Sequence, residues 1–172
     1  MRPQNWSLGH EIPKNRPLWA QINMSEISEE MLNKIRNVKQ IRNGEIKDLR
    51  GYDLSETHLR GADLTETNLS GADLWRADLS GADLNAVYLD GADLHGADLW
   101  GAELCGANLY GADLRGTDLR GADLSKADLR GADLRGADMR DTELGFDCAE
   151  EWRAKWDEKT RWPNGFTPPE NR

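Results

Sequence analysis

From Gly51 to Leu144 one apolar residue returns at every fifth position: Leu54, Leu59, Leu64 and onward without a gap, with Met139 the only substitute for leucine. Two residues before each stands a small or β-branched side chain. It is mostly alanine, with Thr57, Thr67, Val87, Thr117 and Thr142 as variants and Tyr52 as the bulky exception. The other three positions of each unit are mostly polar residues or glycine. A period of five fits neither the 3.6 of a helix nor the 2 of a strand. A continuous helix would spread these leucines around its circumference, and a flat strand would send alternate ones to opposite faces. A chain that turns through a right angle every five residues directs all of them to one axis. Four such units close a square coil of twenty residues, and stacked coils pair backbone to backbone. The pattern therefore predicts one uninterrupted all-β solenoid over residues 45–145.

The tandem motif A-(D/N)-L-x-x, as in Ala62-Asp63-Leu64 and Ala72-Asp73-Leu74, resembles the pentapeptide-repeat family. The resemblance implies a right-handed quadrilateral β-helix in which each leucine and the small residue two before it point inward. Nineteen units at four per coil make about five coils, rising about 23 Å at ~4.8 Å between paired strands. A solenoid exposes its apolar column at both ends and needs caps. Residues 25–44 read as an N-terminal capping helix. Ile27, Met31, Leu32, Ile35 and Val38 form its apolar stripe, Ser25 or Ser28 its N-cap, and Asn43-Gly44 its stop. Residues 146–172 read as a C-terminal helix and tail, with Cys148, Trp152 and Trp156 on one helical face. Residues 1–24, which carry Trp6, Trp19 and three prolines, form an N-terminal arm. The tail Lys159–Phe166 is similar to tails of cyanobacterial pentapeptide-repeat proteins.

With leucine and alanine inside, stacking aligns outer residues twenty apart. One column reads Ser55, Trp75, His95, Arg115, Arg135, and the next Arg60, Ser80, Trp100, Arg120, Arg140. A third reads Thr65, Asn85, Cys105, Ser125, and a fourth Ser70, Asp90, Tyr110, Arg130. Aromatics thus fall in the middle coils and arginines in the last ones, which sets Trp100 beside Arg120 and Tyr110 beside Arg130 for cation–π contact. The residue before each leucine is mostly aspartate, giving an acidic surface that includes Asp73, Asp93, Asp78 and Asp98. Residues 52–112 hold eleven acids and two bases, whereas residues 113–145 hold eight acids and six bases, so the negative charge is compensated only in the later coils.

The chain of 172 residues has a net charge of −9, which argues against nucleic acid as a direct ligand. It has no apolar run long enough to span a membrane and no signal-like N-terminal core, so cytoplasmic residence is expected. Cys105 and Cys148 form neither a CxxC nor a metal-ligand spacing. His10, His58 and His95 stand in unrelated contexts, and there is no phosphate-binding glycine loop. No catalytic residue, cofactor or metal is expected. The reading is a non-catalytic protein–protein interaction module, monomeric or homodimeric. Its candidate partner site is the mid-solenoid belt of Trp75, Tyr88, His95, Trp100 and Tyr110, because exposed Trp and Tyr are enriched in binding hot spots. The competing account of the belt is that the N-terminal arm folds over it. Two alternatives stand beside this reading. Some family members imitate DNA and bind the type II topoisomerase gyrase, and the charge density of the first three coils is comparable to duplex DNA. This array is shorter and uninterrupted, and has no Phe at the leucine positions. The other alternative is a structural spacer that dimerises through Trp152 and Trp156.

Overall fold

The computed structural model describes residues 38–145 and 153–168, all within the compact unit Arg36–Arg172. Parallel bridges join each residue before an inward leucine to the residue twenty positions on: Asp53 to Asp73, Asp73 to Asp93, Asp93 to Asp113, and likewise in three further columns. The ladder starts one unit before the leucine run read from Gly51, since Asp48 bridges Asn68 and Leu49 is fully buried. A side of five residues leaves two or three extended before the next turn. Pairing is therefore mostly by single bridges, and among the described residues the paired runs are β1 (Asp123–Leu124) and β2 (Glu143–Leu144), parallel to each other.

Each unit satisfies its backbone in the same way. The Leu54 N–H donates to the Asp73 carbonyl at 2.7 Å, and the Asp73 N–H donates to the Tyr52 carbonyl at 2.9 Å. At the corner, the Ala62 N–H closes a turn onto the Leu59 carbonyl at 3.0 Å, with Gly61 at φ 61°. That left-handed third residue is what a type II turn requires. Every fifth residue from 51 to 141 has positive φ: glycine at thirteen corners, and Glu56, Glu66, Arg76, Ala86, Lys126 and Asp141 at the other six.

The core is a column of leucines, each from Leu49 to Leu134 at most 4% exposed, lined by alanines that are equally buried. The inward direction implied by the family resemblance holds for both positions. Tyr52 departs from it: its register is inward, yet it is 49% exposed, because the slot that Ala72 and Ala92 fill above it does not hold a ring.

At the N-terminal end, residues 38–42 are helical. The Glu45 N–H returns to the Gln40 carbonyl and the Gly44 N–H to Ile41, with Gly44 at φ 66°. This is a Schellman stop. Ile41 is buried in the core, and the Arg42 carbonyl accepts from the Asp63 N–H at 2.9 Å, which ties the helix end to the first full coil. The arm 1–24 and the expected stripe residues Ile27, Met31, Leu32 and Ile35 lie outside the described residues.

The helix expected at the C-terminal end is not what residues 153–168 form; Cys148 and Trp152 lie outside the described residues. Lys155 bridges Asp133 and Arg161 bridges Asp138, both parallel. The Leu134 N–H donates to the Lys155 carbonyl and the Met139 N–H to Arg161, each at 2.7 Å. The segment is a further partial coil in which Trp156 and Trp162 take the positions of leucines. Their indoles meet edge to face with centroids 6.1 Å apart, and Phe166 stacks on Trp162 at 5.2 Å. All three pack against the core. The physical reason lies in the end of the leucine column. Adding further residue pairs to the ladder satisfies backbone groups as well as covering the apolar end, whereas a helix would leave the ladder edge open.

Candidate functional site

The coil presents four faces, each made of the residue before a leucine and the residue after it. Face 1 carries Asp48/Arg50, Asn68/Ser70, Tyr88/Asp90, Asn108/Tyr110 and Asp128/Arg130. Face 2 carries Asp53, Asp73, Asp93, Asp113 and Asp133, with Ser55, Trp75, His95, Arg115 and Arg135 beside them. Face 3 carries His58, Asp78, Asp98, Asp118 and Asp138, with Arg60, Ser80, Trp100, Arg120 and Arg140. Face 4 carries only acids before the leucine: Asp63, Asp83, Glu103, Asp123 and Glu143.

The aspartate before each leucine has a local task. Its carboxylate accepts the backbone N–H of the residue two ahead, as in Ser55 to Asp53 at 3.1 Å, Trp75 to Asp73 at 3.0 Å and His95 to Asp93 at 2.9 Å. That N–H points outward, away from any ladder partner, and the side chain satisfies it. In the later coils the same carboxylate also holds an arginine. Asp113, Asp118, Asp128, Asp133 and Asp138 pair with Arg115, Arg120, Arg130, Arg135 and Arg140 at 2.5–2.7 Å. These five carboxyls titrate below the usual carboxylate range, chiefly because the guanidinium hydrogen-bonds to them. Arginine–aspartate pairing, rather than the expected stacking on Trp100, occupies Arg120; Arg130 is likewise held by Asp128. The cation–π pair observed is Arg76 over Trp75, at 4.6 Å.

Among the described residues, no ion pair reaches Asp73, Asp93, Asp78 or Asp98. The Arg60 and His58 charges act on Asp78 at longer range, behind its hydrogen bond from Ser80. The register position that carries arginine in the upper coils carries Trp75, His95 and Trp100 here. Trp75 and His95 share face 2 in successive coils, both half-buried, and the His95 Nδ1 is covered without a hydrogen-bond partner. Trp100 stands on face 3, 52% exposed. Tyr88 and Tyr110, 50% and 58% exposed, lie together on face 1. The belt is therefore two patches and not one ring: Trp75, His95 and Trp100 wrap one corner, while the tyrosines sit on the face opposite Trp100. Trp156 belongs to the C-terminal lid.

The described residues hold no cluster of His, Cys, Asp or Glu arranged for a metal ion. No described helix is long and apolar enough to cross a membrane. Every described carboxyl whose titration departs from the ordinary is lowered, the reverse of what a general acid requires. Sequence reasoning missed the C-terminal coil, although a signal was present. Ala154-Lys155-Trp156 and Thr160-Arg161-Trp162 repeat the small–polar–apolar triplet, spaced six apart instead of five. The extra residue is absorbed by a turn in which the Asp157 carboxylate accepts the N–H groups of Lys159, Thr160 and Gly136.

A family model described as pentapeptide repeats matches in eight copies, over residues 48–85, 88–125 and 107–145. No curated protein sequence matches. Among solved structures, the chain is similar to a pentapeptide repeat protein from the thylakoid lumen of Arabidopsis thaliana, at 31% identity and a TM-score of 0.59, covering 73% of this chain and 84% of that one. A pentapeptide repeat protein from Nostoc PCC 7120 matches at 29% identity over 77% of this chain and 88% of that one, with a TM-score of 0.43. Another, from the cyanobacterium Cyanothece 51142, matches at 27% identity over 77% and 99%, with a TM-score of 0.37.

Proposed function

The chain belongs to the pentapeptide-repeat family, whose members adopt a right-handed quadrilateral β-helix and serve generally as structural or interaction modules; from that premise we propose that it is a non-catalytic protein-binding module. Its partner surface is the corner formed by Trp75, His95 and Trp100, and the partner presents basic side chains there. One observation carries this reading. Six units neutralise their aspartate with an arginine two residues on, whereas at the same register Asp73, Asp93 and Asp98 are followed by Trp, His and Trp. Two carboxylates that lack their own arginine, Asp73 and Asp98, are flanked by tryptophan, a residue type that dominates binding hot spots. A partner guanidinium can take the seat that Arg115 or Arg120 occupies one coil above, with an aromatic ring beside it.

The test is quantitative capture of partners on the full chain at low and high salt, comparing wild type with Trp75→Ala/Trp100→Ala. We expect a partner that is lost in the variant and weakened several-fold by salt, since screening removes exposed charge attraction. Identical capture by both proteins, or none by either, would refute it.

A second reading, DNA mimicry, draws on face 4, whose five carboxylates run the height of the solenoid with no arginine between them. It predicts that the protein inhibits a purified type II topoisomerase and that neutralising Asp83, Glu103 and Asp123 relieves the inhibition. The spacer reading that used a Trp152/Trp156 helix has less support, because Trp156 is committed to the core of its own chain.

A further inference from the structure

Face 1 differs from its neighbours in how its groups would meet a copy of themselves. Suppose two chains lie side by side with face 1 against face 1, related by a two-fold axis parallel to the solenoid axis. Each row then faces the same row of the other chain, and the column before the leucine faces the column after it. Asp48 meets Arg50, and Asp128 meets Arg130. Tyr88 meets Asp90, so a phenol faces a carboxylate. Asn108 meets Tyr110, and Asn68 meets Ser70. Every carboxylate of the face is opposite a donor.

The alternatives fail on the same accounting. An antiparallel two-fold on face 1 sets Asp48 against Asp128, Arg50 against Arg130 and Asp90 against itself. The parallel arrangement on face 4 opposes five acids to Thr, Asn, Cys, Ser and Gly, with no cation among them. On face 2 it opposes five carboxylates to only two arginines, Arg115 and Arg135, and on face 3 it sets His58 against Arg60. Charges desolvated without a partner are costly, and face 1 sets three carboxylates against two arginines, whereas face 2 sets five against two and face 4 five against none.

The face is also suited to contact. The two ion pairs at its ends are formed within the chain, with Arg50–Asp48 at 2.8 Å and Arg130–Asp128 at 2.6 Å. Between them the Asp90 carboxylate is fixed by the Ser70 hydroxyl at 2.7 Å. Tyr88 and Tyr110 project half exposed from this ladder, and the glycines at the adjoining corner, Gly71, Gly91 and Gly111, leave open space beside it.

We propose that face 1 is a parallel homodimer interface, with Tyr88 and Tyr110 as its central contacts. The inference rests on the reading of exposed aromatics as interaction groups but assigns the tyrosines to a second copy and leaves the Trp75–Trp100 corner to another partner. Five rows at ~4.8 Å and a side of about 10 Å make a small contact, under the ~800 Å² per partner of a standard interface, so the dimer is weak and depends on concentration.

Sedimentation equilibrium of the full chain over a wide concentration range should show mass rising from one chain toward two. Tyr88→Asp/Tyr110→Asp should remain monomeric over that range with an unchanged circular dichroism spectrum, while Trp75→Ala/Trp100→Ala should dimerise as wild type does. Orientation is read by disulfide formation in a Cys105→Ser/Cys148→Ser background. An Asn108→Cys chain mixed with a Tyr110→Cys chain should link to each other in preference to themselves. A wild type that stays monomeric throughout, tyrosine variants that dimerise unchanged, or self-linked cysteine pairs in excess would each overturn the proposal. None of these outcomes bears on whether the Trp75–Trp100 corner captures its own partner.

Discussion

Ala86 occupies a left-handed corner, φ 53°, that its counterpart one coil above fills with Gly106. For an L residue that conformation costs ~1–2 kcal/mol because Cβ crowds the following carbonyl. Ala86→Gly should therefore stabilise the protein by about 0.5–1 kcal/mol, the relief exceeding the extra freedom glycine gives the unfolded chain. Gly101→Ala should cost about 1 kcal/mol, although its new Cβ would meet nothing within 4 Å. Chemical denaturation of both variants reads the two signs, and a loss from Ala86→Gly would show that the corner is not strained. The corner glycines, the inward leucines and the aspartates before them were all legible from the sequence, because each is dictated within one unit. Tyr52 was not: a register position fixes where a side chain should point, and only the size of the slot above it decides whether the ring fits.

Among elements, the two ends behave differently. The N-terminal stop at Asn43-Gly44 is local chemistry, a glycine accepting positive φ so that two free carbonyls find donors. The C-terminal end is governed by what the last coil leaves uncovered. Spacing of four between Trp152 and Trp156 suggests a helix face, but residues 153–168 gain more by extending the ladder and laying indoles over Leu134 and Met139. Trp162→Ala should then lower stability by roughly 2–3 kcal/mol, below the 3–5 kcal/mol of a fully buried Trp→Ala because the ring is only partly covered. Hydrogen exchange should show the loss concentrated in residues 119–144, with the first coils keeping their protection. Loss spread evenly from residue 48 onward would contradict the lid.

At the scale of the whole molecule, the five arginine pairs of the last coils make a contribution to stability that acid should remove. Asp113, Asp118, Asp128, Asp133 and Asp138 titrate lower folded than unfolded. Their contribution is complete above the unfolded value of about 4 and is lost as pH falls through the lowered one. The melting temperature should be level between about pH 5 and 8 on this account and drop below about pH 4. In Arg115→Gln/Arg135→Gln the drop should be shallower, since Asp113 and Asp133 lose the groups that lower them; an unchanged acid profile would refute that linkage. The sequence alone determined the solenoid, its period of twenty and the inward column, because a five-residue repeat has one geometry that buries every leucine. Tertiary structure decided the rest. Whether Arg120 and Arg130 stack on a ring or clasp their own aspartates, whether the Tyr52 ring fits its slot, and how the last turn closes all depend on contacts in three dimensions that a pattern read along one chain does not contain.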